Sequence, residues 1–189
     1  MNLIFNATKS VPEFSNIEES IRYRRLPMSI TGLSHIHKAN IISTLCIKQK
    51  CGAFVVASDE SECVKLLNDF KEIGVNALIF PGRDLIFRDF EGISHEYEHQ
   101  RLHALSSLLE DDKVIIITCP DSALMYTIPP EILKQHTKIL SSGQDFNINE
   151  AINWMISCGY VRSDEVDGIG QFSVRGGIID FFAPGHDHP

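Results

Sequence analysis

Val114-Ile115-Ile116-Ile117 carries no polar side chain in four consecutive positions. Successive side chains of a strand point to opposite faces, so this run has no face suited to water. It predicts a strand, Lys113 to Thr118, covered on both faces, as in a parallel sheet packed under helices. Ala53-Phe54-Val55-Val56-Ala57 and Val75 to Phe80 read the same way, and Met28-Ser29-Ile30 reads as a shorter strand. Helical spacing separates them. Leu33 to Lys50 places Ile36, Ile41, Ile42 and Leu45 on one side. Glu60 to Ile73 is capped by Ser58-Asp59, presents Val64, Leu67 and Phe70, and stops at Gly74. His95 to Glu110 turns Leu102, Leu105, Leu108 and Leu109 inward. Strand–helix alternation repeated in this way predicts an α/β domain, a parallel sheet with helices on both faces and right-handed crossovers.

The flanks are less regular. Ile17 to Tyr23 reads as a helix ended by Pro27, and Asp121-Ser122 as the cap of a short helix ended by Pro129-Pro130. From about residue 133 the alternation stops. Thr137 to Leu140 reads as a strand, Gly143-Gln144-Asp145 as a turn, and Asn149 to Cys158 as a helix closed by Gly159. This divides the chain into an α/β domain over 1–132 and an incomplete α+β domain over 133–189. The second is near the size at which a lone core is marginal, so a piece of something longer is expected.

In the second domain Phe172 and Val174 alternate with Gln171, Ser173 and Arg175, Gly176-Gly177 breaks the run, and Ile178 to Phe182 resumes it. Period two around a Gly-Gly step reads as two strands or one sharply bent strand. Arg175 sits at the bend. An arginine on a rigid β framework suits a carboxylate partner or a phosphate, and a solvated arginine at a turn fits equally.

Net charge narrows the partners. At −8 over 189 residues the chain lacks the cationic surface of a general DNA-coating protein. The Arg22-Tyr23-Arg24-Arg25 cluster is short and reads as a solvated helix end. No apolar run approaches the ~18 residues of a membrane span, and Met1 to Lys9 lacks the pattern of a secretory signal, so a cytoplasmic location and no membrane partner are expected. The cysteines, Cys46, Cys51, Cys63, Cys119 and Cys158, are odd in number and lack the two-residue spacing of a zinc or redox motif. Cys63 and Cys119 read as buried thiols; no metal and no disulfide is assigned.

Three stretches invite comparison with catalytic motifs. Gly32-Leu33-Ser34-His35-Ile36-His37-Lys38-Ala39 matches a phosphate loop at Gly32 and Lys38. His37 stands where the second glycine must let phosphate approach, and Ala39 where a hydroxyl must hold Mg²⁺. Both departures argue against nucleotide hydrolysis, while the helix N-terminus retains some attraction for an anion. His95-Glu96-Tyr97-Glu98-His99 matches His-Glu-x-x-His, which makes a zinc hydrolase through His95 and His99 an alternative. The metzincin continuation fails at Leu102 and Leu105, His103 is too far along the helix to share the ion, and an acidic, solvated helix start accounts for the string. Asp84, Asp89 and Glu91 lie after the third strand, where α/β sheets place sites, but no triad partner accompanies them. With Arg83 and Arg88 they read as ties for the loop. No catalytic residue and no cofactor is assigned.

Five motifs occur in order: Gly32-Leu33-Ser34; Phe80-Pro81-Gly82-Arg83-Asp84; Gln100-Arg101-Leu102-x-Ala104-Leu105; Gly159-Tyr160-x-Arg162; and Gln171 to Asp180. Over about residues 28–185 they resemble the N-terminal region of the bacterial transcription-repair coupling factors, the Mfd family, which shares this module with the excision-repair protein UvrB. UvrB keeps an intact phosphate loop, with a long hairpin after the third strand. Here the loop is degraded and about a dozen residues separate Asp84 from the next helix, so the likeness is to the coupling factors. An active, UvrB-like nucleotide-binding helicase fragment is the second reading.

The resemblance implies a degenerate helicase-like first domain without ATPase activity, followed by the start of a domain that binds UvrA. It implies partner contacts at Arg162 and Arg175, a patch centred on those two, with apolar contacts near Ile179 and Phe182. A third UvrB arginine falls on Ser173. It also implies a parent chain that meets RNA polymerase and DNA elsewhere, acts as an ATP-dependent DNA translocase, and recruits UvrA to stalled polymerase in nucleotide-excision repair.

Overall fold

The computed structural model describes residues 3–82, 95–186 and 188–189. In chain order its elements are α1 (Leu3–Lys9), α2 (Pro12–Arg22), α3 (His35–Gln49), β1 (Ala53–Val56), α4 (Glu60–Glu72), β2 (Ala77–Ile79), α5 (Glu96–Glu110), β3 (Ile115–Thr118), α6 (Pro120–Ala123), α7 (Pro130–Gln135), α8 (Ile148–Ser157), β4 (Val161–Arg162), β5 (Gln171–Arg175) and β6 (Ile178–Phe181). They group into two compact units, Met1–Gly82 with Glu110–Met125 and Arg83–Leu109 with Tyr126–Pro189.

The first unit is built on a parallel sheet of order β1-β3-β2. All four residues of β3 are buried, as the apolar run Ile115–Ile117 predicts for a central strand, and the Thr118 hydroxyl is satisfied by the Phe80 carbonyl at 2.9 Å. Register sorts the side chains by face. Ala53 and Val55 align with Ile115 and Ile117, and these with Ala77 and Ile79. All six belong to one core with Ala39 and Ile36 of α3, Cys63, Leu66 and Phe70 of α4, and Phe5 of α1. The helices of this core therefore share one face. The other face holds Ile116, buried, and Phe54 and Val56, which are 61% and 54% exposed. Cover on both faces was the expectation; at β1 it exists on one.

Two expected strands are absent. Met28-Ser29-Ile30 is irregular. Four residues between Pro27 and the left-handed Gly32 (φ 80) offer few ladder bonds, and Ile30 turns instead into an apolar cavity of about 350 Å³ with Phe14, Ile17 and Leu33. Thr137 to Leu140 is likewise irregular, with Ile139 79% exposed, so its apolar residues have nothing to pack on. Helices also appear where patterning was weak. Pro12 and Pro130 start α2 and α7 rather than ending a helix, since proline at the first helical positions lacks only an N–H that would be unpaired there anyway.

The second unit carries α8 and a sheet of order β4-β5-β6. Asn147 caps α8, its Oδ1 accepting from the amides of Asn149 (3.0 Å) and Glu150 (3.4 Å), and Gly159 (φ 88) follows the helix end. β4 and β5 are parallel, while β5 and β6 form an antiparallel hairpin with Arg175 opposite Ile178. Gly176 and Gly177 are thus a two-residue loop. Gly176 has φ 62 and Gly177 does not take a positive φ, the pattern of a type II′ turn, whose twist suits a hairpin.

Candidate functional site

The hairpin tip positions Arg175. Its side chain is 72% exposed, and Nη2 donates to Asp180 Oδ2 at 2.5 Å. Ser173 lies opposite Asp180, so Arg175 reaches its partner diagonally across the two strands. The hydrogen bond to Asp180 first, and the charge of that carboxylate second, push the Arg175 pKa further up, and the guanidinium stays charged. Asp164 and Glu165 border the same shallow cavity of about 300 Å³. Arg175 is therefore one cation among three carboxylates.

The connection from β4 to β5 is held from β5. The Gln171 carboxamide oxygen accepts from the amides of Asp167 (2.9 Å) and Gly168 (3.1 Å). Ser173, 3% exposed, donates from Oγ to the Asp164 carbonyl at 2.9 Å. A small buried hydroxyl thus fixes the acidic loop beside Arg175.

Strand register separates the expected contact residues. Arg162 aligns with Phe172, whereas Val161 aligns with Gln171. By alternation of the pleat, Val161, Gln171, Ser173, Arg175, Ile178 and Asp180 share one face. Arg162, Phe172, Val174, Ile179 and Phe181 share the other, whose centre is Phe172 at 0% exposure. Arg162 is exposed on the edge strand, and Ile179 is partly buried. Phe182, partly buried, follows β6 and extends the ladder, its amide donating to the Gln171 carbonyl at 3.0 Å. Arg162 and Arg175 are not neighbours on one face. Sequence reasoning missed Ile178, 62% exposed opposite Arg175, Val161, 63% exposed at the far end of the same face, and the role of Asp180. The Gly-Gly turn could have revealed Ile178 and Asp180, because a two-residue loop fixes every pair within the hairpin; Val161 lies on β4, whose register that turn does not set.

At the start of α3, Gly32 is left-handed and Ser34 is the N-cap residue, its Oγ 3.0 Å from His37 Nδ1. Lys38 Nζ donates to Glu62 Oε1 at 2.9 Å. The Glu62 carboxylate also accepts from the Ser58 amide (2.8 Å) and Ser58 Oγ (2.7 Å). These bonds, those of Ser58 foremost, hold its pKa down to about 2. Asp59 caps α4 by accepting from the Glu62 amide at 2.8 Å. Ala39 is fully buried in the core. The cation that would meet phosphate is thus held by a carboxylate from α4.

His95 and His99 have ring centroids 6.2 Å apart. His99 packs against Gly170, where a Cβ would come within 3.3 Å of Nε2, and burial followed by the charge of His95 lowers its pKa. His103 covers Gly185, where a Cβ would meet Nδ1 at 2.1 Å. Among the described residues no group of three or more His, Cys, Asp or Glu side chains is arranged to hold a metal. Arg83, Asp84, Arg88, Asp89 and Glu91 lie outside the described residues. Among the described residues no helix is long and apolar enough to cross a membrane.

Residues 139–189, which contain the whole β4–β5–β6 sheet, match the family of UvrB interaction domains. The likeness extends well beyond that domain. Over 155 residues, 81% of this chain, it is 28% identical to the transcription-repair-coupling factors of Staphylococcus haemolyticus and Staphylococcus epidermidis, and 27% identical to that of Staphylococcus aureus. The resemblance to the N-terminal region of those factors is borne out. The chain spans 13% of the length of these relatives.

Proposed function

We propose that this chain is a protein-docking module of transcription-repair coupling, which engages a UvrA-type partner through the β4–β5–β6 sheet and does not hydrolyse nucleotide. The match of residues 139–189 to the UvrB interaction domain, on a sheet that presents Arg175 at a rigid turn, carries this reading. Arg175 is held charged by Asp180, so an incoming carboxylate exchanges with an internal one. Such an exchange favours specificity and orientation over raw affinity. Val161 and Ile178 add exposed apolar area on the same face, while Arg162, Ile179 and Phe182 offer contacts around the sheet edge.

The start of α3 supports a degenerate phosphate loop in a helicase-like domain. Lys38 is engaged by Glu62, Ala39 is buried without a hydroxyl to offer Mg²⁺, and among the described residues no strand precedes the loop. Within a longer parent chain the module would hand a lesion-blocked site to the repair machinery.

The test is UvrA binding by an extended protein carrying Arg175→Ala. A loss of about tenfold or more is expected, as for an interface arginine, and unchanged affinity removes Arg175 from the site. Calorimetry with ATP and Mg²⁺ should give no binding heat, and saturable binding would restore the nucleotide-dependent alternative.

A further inference from the structure

The far end of α3 carries two thiols that the docking function leaves unused. Lys50 follows the helix in the left-handed conformation (φ 55, ψ 42), unfavourable for a residue with a side chain. That turn lets the Cys51 amide reach back to the Cys46 carbonyl at 3.2 Å, the long bond of a Schellman motif, which brings these two positions together. Standard backbone dimensions then hold the two Cα atoms within about 7 Å, the span a disulfide can bridge. The chain is pinned just beyond. The Gly52 amide donates to the Asp112 carbonyl at 3.0 Å, and a Cβ on Gly52 would lie 2.4 Å from the Val114 oxygen. Cys51 cannot drift from its neighbour without unseating this contact.

Burial first, and then the charge and hydrogen bonding of Cys51, push the Cys46 thiol up to about 11. Cys51 is exposed and Cys46 half-buried, so an oxidant reaches one sulfur while the second waits beside it. Cys63 and Cys119 contrast with this pair: at 2% and 6% exposure both are sealed in the core.

We propose that Cys46 and Cys51 form a reversible intramolecular disulfide, making the junction of α3 and β1 a site of oxidation by peroxides. The Cys51 thiolate attacks one oxygen of hydrogen peroxide and the O–O bond breaks. Hydroxide leaves and takes the thiol proton as water, and Cys51 becomes a sulfenic acid. The Cys46 sulfur then attacks the Cys51 sulfur and the S–O bond breaks. The Cys46 proton leaves with the hydroxyl as a second water. Two thiols are oxidised and one peroxide is reduced to two waters. Because a sulfenic acid is neutral, the first step removes the neighbouring charge that opposed a thiolate at Cys46.

Trypsin cuts after Lys48 and Lys50, so the two cysteines fall on separate peptides, 39–48 and 51–65. After hydrogen peroxide and alkylation of remaining thiols, mass spectrometry should find these peptides joined, lighter than their sum by two hydrogens. They should part on treatment with dithiothreitol. The link should persist in Cys63→Ser, which removes the other thiol of peptide 51–65, and vanish in Cys51→Ser. In Cys46→Ser, dimedone should trap a Cys51 sulfenic acid that escapes trapping in the parent protein. Peptide 51–65 over-oxidised at Cys51 with Cys46 fully alkylated, a link lost in Cys63→Ser, or equal dimedone labelling with and without Cys46 would each overturn the proposal.

Discussion

Replacing Glu62 with glutamine tests whether an internal carboxylate has taken the place of phosphate at Lys38. Glu62 accepts three hydrogen bonds, two from Ser58 and one from Lys38 Nζ, and its side chain is 18% exposed. A fall in pKa from 4.5 to about 2 sets a ceiling of about 3 kcal/mol, at ~1.4 kcal/mol per tenfold change in proton affinity. Lys38 is 41% exposed, and solvent screening brings the expected contribution down to about 1–2 kcal/mol. The folded-state pKa is depressed, so the stabilisation is fully present above the unfolded value near 4.5 and is lost as pH falls towards 2. Urea denaturation at pH 7 should therefore show Glu62→Gln less stable than the parent by about 1–2 kcal/mol. Between pH 5 and 3 the parent should lose stability more steeply than the variant. Equal stability at pH 7 together with identical acid slopes would refute the argument, and Lys38 would then be available to an external anion.

Four further substitutions probe the frame of the fold. Gly176→Ala forces a side chain into φ 62 and should weaken the hairpin by about 1 kcal/mol, whereas Gly177→Ala meets no neighbouring atom at an ordinary φ and should be nearly neutral; thermal melts of the two compare them directly. Gly52→Ala drives a Cβ against the Val114 and Asp112 carbonyl oxygens at 2.4 and 2.7 Å, and should cost 2 kcal/mol or more, about the scale of overpacking, by urea denaturation. His99 is held neutral by burial, so its folded pKa lies below the ordinary value of 6.5. Stability is unaffected by it above that value and falls as pH drops through the depressed pKa; His99→Gln should flatten the slope just below pH 6.5 in melts across that range.

Much of the fold was legible because the signals were local. The all-apolar run at Val114–Ile117 identified the central strand, and the Asp59 cap with Gly74 bounded α4 to within a residue. Gly176-Gly177 announced the hairpin. The expected strand at Met28-Ser29-Ile30 failed because a strand exists only with a paired neighbour, and its alternation is too short to compel one. The start of α2 at Pro12 and the whole of α7 were missed because proline both ends and begins helices, and only the chain that follows distinguishes the two.

The candidate site divides along the same line. Residue types and spacing were enough to mark Arg175 at a turn, to show Lys38 without its partner glycine and hydroxyl, and to point to the coupling factors. Periodicity within a segment is a property of the chain alone. Which carboxylate meets which cation is a property of distant segments brought together. Lys38 and Glu62 stand 24 residues apart in sequence, and no pattern announces their bond. Arg162 and Arg175 read as one patch, yet the register of β4 on β5 turns them to opposite faces. A shift of a single residue in that pairing would have placed both on the same side, and only packing of the folded sheet chooses between the two.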